Sequence, residues 1–102
     1  MKTEPCCTLD LSEADRERLM AMSKALGNPI RFEILEYLLT HPGCITGDLV
    51  DHLPISQSTV SQHLGVLRRA GWVSGTQQGP ARCYCLEPEN VRWFRETVGE
   101  VF

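Results

Sequence analysis

Cysteine is the residue type in this sequence that offers the most chemistry. The five cysteines form an adjacent pair, Cys6-Cys7, a single Cys44, and a spaced pair, Cys83 and Cys85. Thiolates bind soft metal ions, and two thiols can also be oxidised to a disulfide. An odd count suits a secreted disulfide framework poorly, so we expect free thiols, metal ligands or redox groups in a reducing compartment.

Charge is distributed unevenly along the chain. The net charge is −3, yet residues 52–86 contain Arg68, Arg69 and Arg82 and no Asp or Glu. Residues 1–51 and 87–102 are both net acidic. A third of the chain without a carboxylate marks where a polyanion could approach. Chance depletion in a short stretch is the alternative, and the charge pattern alone does not decide between the two.

Length and composition limit the class of protein. With 102 residues, 42% of them hydrophobic and 23% charged, the chain fits one soluble globular domain. Its apolar runs are too short to span a membrane, and its first residues contain no apolar signal-peptide core. We therefore expect a cytoplasmic protein with a loose arm over residues 1–11 and one domain over 12–102. Dimerisation would supplement so small a core.

Capping residues predict three helices in the first half of the chain. The first begins after Ser12 and ends at Gly27. The second begins at Asn28-Pro29, an N-cap residue followed by proline at the first helical position. A short third helix is expected over 46–53.

A fourth helix carries an unusual polar face. It begins after Ser56 and ends at Gly71, with Val60, Leu64 and Leu67 spaced to face inward. A helix face built only for solvation would normally use Glu and Lys, whereas short uncharged donors and acceptors suit a surface pressed against base edges. The polar residues here are of the second kind: Gln57, Ser58, Thr59, Ser61 and Gln62.

A hairpin and a last helix follow. Strands are predicted over 72–76 and 82–86, joined by a loop that contains Gly79. The last helix runs from about Pro88. Its apolar face is expected to lack a partner within the domain, which favours a dimer contact. That face carries Val91, Phe94, Val98 and Val101.

Two short helices joined by a tight turn and followed by a hairpin have the order of a winged helix-turn-helix, so the predicted fold is mainly α with a small β-hairpin. The helix pair is 46–53 and 56–70, and the wing is 72–86. The second helix of the pair would enter the major groove of double-stranded DNA. The predicted DNA contacts are Gln57, Ser58, Thr59, Ser61, Gln62, His63, Arg68, Arg69 and Arg82. The alternative for His63 is a structural role. The alternative for Arg68 and Arg69 is a favourable interaction with the dipole at the C-terminus of their helix.

The chain resembles the ArsR/SmtB family of bacterial metal-responsive repressors over residues 19–86. The shared segments are ALGNPIRFEILEYL, then DLVDHLPISQSTVSQHLGVLRRAGWV, then a wing with Tyr84, and SQSTVSQHLGVLRRAG is the most specific. The resemblance implies a homodimer joined through its first and last helices. It also implies operator binding that a bound metal or metalloid weakens.

The cysteine positions look like those of the arsenic-responsive variants of this family, which use an N-terminal Cys-Cys pair and a third cysteine near the helix-turn-helix. By that resemblance Cys6, Cys7 and Cys44 would bind As(III) or Sb(III), the effector, with no organic cofactor. The zinc site that some members place on the last helix is absent, because residues 88–102 contain no His, Asp or Cys. Response to zinc, cadmium or lead, or to thiol oxidation, is the alternative. Cys83 and Cys85 would be a second soft-metal pair or, more simply, packing residues of the wing.

The sequence does not favour an enzyme. A catalytic thiol usually lies at a helix N-terminus or in a Cys-x-x-Cys motif, and no cysteine here has that context. No Gly-rich phosphate loop and no paired carboxylates occur. A structural module without DNA binding is the other alternative. The residues that together argue against it are Gln57, Ser58, Gln62, Arg68 and Arg69.

Overall fold

A computed structural model describes residues 11–41, 53–78 and 81–102, with the backbone alone at 77, 78, 81 and 82. Residues 1–10 of the predicted arm and all but the last residue of the predicted helix over 46–53 lie outside these ranges. In chain order the elements are α1 (Glu13–Leu26), α2 (Pro29–Thr40), α3 (Gln57–Ala70), β1 (Val73–Gln78), β2 (Ala81–Leu86) and α4 (Pro88–Val101). The predicted fold, mainly helical with one small antiparallel hairpin, is confirmed. None of the described helices is both long and apolar enough to cross a membrane.

The caps predicted for α1 and α2 are present. The Ser12 Oγ accepts a hydrogen bond from the Asp15 N–H at 3.1 Å, which satisfies a free donor of the first turn of α1. The Asn28 Oδ1 accepts from the N–H groups of Ile30 and Arg31 at 2.9 and 3.1 Å. Pro29 follows at the first helical position, so only Gly27 and Asn28 separate α1 from α2.

Helix α3 is fixed at both ends and along its inner face. The Ser56 Oγ accepts from the Thr59 N–H, and Gly71 ends the helix in the left-handed conformation at φ 99°. A residue with a β-carbon would be strained there, which explains the glycine. Val60, Leu64 and Leu67 are all buried, as their spacing predicted.

The hairpin is longer than predicted. Val73 pairs with Leu86, and the antiparallel ladder continues to Gln78 and Ala81, so that only residues 79–80 connect the strands. The sequence between them, rich in Gln and Gly, had indicated a five-residue loop. Backbone hydrogen bonds in such a ladder depend little on side-chain type, so polar residues extend both strands.

The expectation that the apolar face of α4 lacks a partner inside the domain is wrong for Val91 and Phe94. Both pack against the core, and the ring of Phe94 lies 4.9 Å from that of Trp72. Trp72 is itself buried and donates its indole N–H to the Met22 carbonyl at 2.9 Å. This residue joins α1, the end of α3 and α4, an arrangement that helical spacing alone does not reveal.

Candidate nucleic-acid interface

The outward surface of α3 is polar, exposed and free of acid. Its exposed side chains, which we call the outer face of α3, are Gln57, Ser58, Ser61, Gln62, Arg68 and Arg69. Ser58, Gln62, Gly65 and Arg69 follow one another at steps of three or four residues, so they form a line along the helix opposite its buried side. Six of the nine predicted DNA contacts therefore lie together on a rigid, accessible surface.

Thr59 and His63, two further predicted DNA contacts, lie on the flank of α3 and are half-buried. The hydroxyl of Thr59 is 2.9 Å from that of Ser56, within the N-terminal cap. The His63 Nδ1 lies 3.3 Å from the Arg31 Nη1 of α2. Both side chains thus have partners inside the domain, and their contact with DNA stays a prediction.

Burial and the neighbouring Arg31 guanidinium both lower the pKa of His63, burial having the larger effect. A guanidinium can only donate, so the Nδ1 of His63 accepts and the proton of the neutral ring is on Nε2. At neutral pH this histidine therefore adds no positive charge beside the outer face of α3.

Arg69 and Arg82 differ in how fully they are described. The guanidinium of Arg69 lies along α3 beside Gly65, where a β-carbon would come within 3.3 Å of its Nη1. Gly65 thus leaves room on the outer face for the arginine of the next turn. Of Arg82 the structure describes the backbone alone, which pairs with Gln77 in the wing.

The C-terminal end of α3 is tied to both terminal helices by a chain of polar contacts that the sequence did not predict. The Asn90 side-chain amide donates to the Gly71 carbonyl at 2.9 Å. The Asn90 Oδ1 in turn accepts from the Arg18 guanidinium at 2.7 Å. That guanidinium also lies over the Trp93 ring at 3.9 Å, a cation–π contact. No local pattern marks Arg18 or Asn90, because their partners are remote in sequence.

Three cations that the charge pattern did not group meet beside α3. Lys24 of α1, Arg31 of α2 and Arg69 of α3 line one cavity of about 440 Å³. Lys24 and Arg31 belong to the acidic half of the sequence, so net charge by segment concealed them.

The cysteines predicted to bind the effector, Cys6, Cys7 and Cys44, lie outside the described residues. Of the two wing cysteines, Cys83 is buried and free, as expected for a packing residue of the wing. Cys85 is half-buried and disulfide-bonded, and no described cysteine shares that bond. Within the described ranges no three His, Cys, Asp or Glu side chains group so that they could hold a metal ion.

Comparison with known proteins places this fold in a family. The model of the arsR family of bacterial regulatory proteins matches residues 28–74, which include α2 and α3. The transcriptional activator HlyU of Vibrio cholerae is 31% identical over 90 residues, covering 88% of this chain and 82% of HlyU. Its reduced form has been solved and matches with a TM-score of 0.67 at 32% identity, over 81% of this chain and 87% of that one.

Two further relatives give the same result. The HTH-type transcriptional regulator CmtR of Mycobacterium tuberculosis is 38% identical over 79 residues, 78% of this chain and 66% of CmtR. A crystal structure described as a possible transcriptional regulator for arsenical resistance matches with a TM-score of 0.69 and 31% identity, over 78% of this chain and 81% of that one. This chain, with its winged hairpin and its capped, acid-free helix α3, is a transcriptional regulator that belongs to the arsR family of bacterial regulatory proteins.

Proposed function

We propose that the protein is a repressor that reads double-stranded operator DNA with the outer face of α3. The observation that carries this proposal is the exposed, acid-free line of Ser58, Gln62 and Arg69 on a helix whose ends and inner side are fixed. Short polar side chains can reach base edges in the major groove, while arginines contact phosphates. Gln57, Ser58 and Gln62 are assigned base contacts, and Arg68, Arg69 and Arg82 phosphate contacts.

Replacing Arg68 with Ala tests this assignment of base and phosphate contacts. A phosphate contact carries no sequence information, so the variant should bind all DNA sequences more weakly and flatten the salt dependence by about one unit of slope. Fluorescence anisotropy on operator and scrambled duplexes over a salt series measures both. A change confined to sequence preference would contradict the assignment.

The repressor is proposed to act as a homodimer built on α1 and α4, because two half-sites must be bound together. Two exposed apolar side chains allow a matched test, Met20 on α1 at 57% exposure and Leu39 on α2 at 63%. Met20→Glu should yield monomers with weak operator binding, whereas Leu39→Glu should remain dimeric. Analytical ultracentrifugation decides, and the reverse result would move the interface to α2. Phe94 is a poor choice for this test, because it packs against Trp72 and a charged replacement would affect folding as well as dimerisation.

The proposed effector is trivalent arsenic or antimony bound by Cys6, Cys7 and Cys44. Three thiolates suit these soft ions, and one similar structure is described as a possible regulator for arsenical resistance. Binding would join the arm to the turn ahead of the predicted helix over 46–53. A preference of about 1–3 kcal/mol for the non-binding arrangement suffices to loosen the operator several-fold or more.

Cys44→Ser tests the effector site. The variant should bind operator DNA like the wild type and should no longer be released by arsenite, measured by anisotropy with arsenite titrated into the complex. Native mass spectrometry of the same samples counts the bound ions, and cadmium and zinc are offered in parallel. Full arsenite release from the Cys44→Ser variant would place the sensor elsewhere.

Thiol oxidation is the second candidate effector, and Cys85 is the observation that favours it. This residue is disulfide-bonded on the wing, and the relative HlyU has been solved in a form described as reduced. With hydrogen peroxide as oxidant, two thiols lose two protons and two electrons to form the S–S bond, and the peroxide is reduced to two waters. Cys85→Ser should keep operator affinity under peroxide if oxidation is the signal. Cys83→Ser, two residues away and free, is the matched control and should respond like the wild type.

A further inference from the structure

The cavity beside α3 has the composition of an anion site. It lies between the end of α1, the start of α2 and the second half of α3, and we call it the cationic cleft. Its described lining consists of Ala21, Lys24, Ala25, Arg31, Val66, Arg69 and Ala70. Four small or apolar side chains leave its volume of about 440 Å³ open, and the other three are cations.

The three cations of the cleft, Lys24, Arg31 and Arg69, lack carboxylate partners at ion-pair distance among the described residues. The nearby His63 is held neutral by burial and by Arg31, so it neither adds to nor offsets the charge. Like charges gathered without a counter-charge repel one another, and a bound anion would relieve that repulsion.

Arg31 is already oriented for such a ligand. Its Nε donates to the Ala25 carbonyl at 2.6 Å, and its Nη1 donates to the His63 Nδ1 at 3.3 Å. These bonds use two of the five N–H donors of the guanidinium and fix its plane. The remaining donors form a fork of the kind that matches the oxygens of a phosphate.

We propose that the cationic cleft binds a phosphate group, with Arg31 as the fixed donor and Lys24 and Arg69 as mobile ones. Arg69 belongs both to the cleft and to the outer face of α3. A duplex whose bases lie against that face carries its phosphate backbone along the side of the helix. The operator backbone is therefore the source that the arrangement favours, and in that form the inference rests on the proposed function. A free phosphate-bearing molecule is the other source.

Lys24→Gln tests the cleft, because Lys24 is exposed and its loss should not affect folding. Operator binding is measured over a salt series beside Arg92→Gln, which removes one positive charge from the exposed side of α4. If the operator fills the cleft, Lys24→Gln lowers the salt slope by about one unit and Arg92→Gln leaves it unchanged. Equal slopes in all three proteins exclude the operator as the source.

A second measurement needs no DNA. Inorganic phosphate is exchanged for chloride at constant ionic strength, and the melting temperature is followed for the wild type and for Lys24→Gln. A rise in the wild type that the variant lacks supports the cleft as a phosphate site, and with unchanged salt slopes it assigns the site to a free ligand. Unchanged slopes together with equal melting shifts overturn the proposal. Failure of every protein to bind operator DNA would overturn the proposed function instead, while the phosphate measurement would still decide the cleft.

Discussion

Helices α3 and α4 have the same length, 14 residues, but their exposed sides differ in charge composition. The exposed side of α4 mixes Arg92 and Arg95 with several glutamates, which is the usual pattern of a solvated helix. The exposed side of α3 has two arginines in its last turn, short amides and hydroxyls before them, and no acid. Both helices turn apolar side chains toward the core, fully buried in α3 and half-buried in α4. The clearer difference is the chemistry of the exposed side.

A similar contrast in charge appears in two cavities that α1 helps to line. The cationic cleft lies towards α3 and has no carboxylate in its described lining. A second cavity, of about 540 Å³, lies towards α4, and its described lining includes Asp15, Glu96 and Glu100 and no cation. The cavity beside α3 is thus basic and the cavity beside α4 is acidic. We therefore expect a polyanion to be attracted to the cationic cleft more strongly than to the acidic cavity.

Lowering the net charge by one unit on each helix in turn should have very different effects, if α3 alone meets DNA. Gln62→Glu puts one on the outer face, against phosphates and base acceptors, and should weaken operator binding by on the order of a hundredfold. Arg92→Gln changes the net charge by the same amount on α4 and should change affinity little. Anisotropy titrations at one salt concentration compare the two. Comparable losses would mean that overall charge, and not the face of α3, controls binding.

Replacing glycine by alanine should change the stability of the fold in opposite directions at Gly71, the C-cap of α3, and at Gly99 of α4. Gly71→Ala forces a β-carbon into the left-handed conformation and to 3.3 Å from the Asn90 amide, so it should destabilise the fold by about 1–2 kcal/mol. Gly99→Ala meets nothing within 4 Å inside α4 and should stabilise it by up to about 1 kcal/mol. Urea unfolding followed by circular dichroism measures both. A stabilising Gly71→Ala would refute the role given to this cap.

The smallest expected effect concerns pH and the flank of α3. Because the pKa of His63 is lower in the folded protein, the unfolded chain takes up a proton first as the pH falls through about 6.5. Stability should therefore be full above this pH and decline below it, towards the folded pKa. His63→Gln should flatten the decline between about pH 7.5 and about pH 5.5. Gly99→Ala, which alters no titrating group, should keep the wild-type slope. An identical slope in His63→Gln would assign the decline to other groups.

Local signals in the sequence predicted what depends on near neighbours. Ser12, Asn28 and Ser56 begin helices where expected, because a cap hydrogen bond spans only two or three residues. The length of the wing was predicted less well, because backbone pairing extends past residues whose side chains favour a loop. The dimer stripe on α4 was overstated, because Trp72 comes from another element to cover Phe94.

The sequence by itself determined which side of α3 is buried and which is exposed. Apolar residues that recur every three or four positions lie on one side of a helix, and that side turns toward the core. The residues on the opposite side are then exposed, so the amino-acid sequence alone predicts the outer face of α3. The sequence also predicted the family, because the segment that resembles the family most specifically is contiguous in the chain.

Only the tertiary structure decided which remote residues act together. Lys24 and Arg31 sit in a segment of net negative charge, yet they join Arg69 across three helices, because the turn at Gly27 folds α1 and α2 against α3. In the same way Arg18 and Asn90, 72 residues apart, reach the end of α3. Electrostatic attraction and hydrogen bonding depend on distance in space, which a linear pattern does not contain.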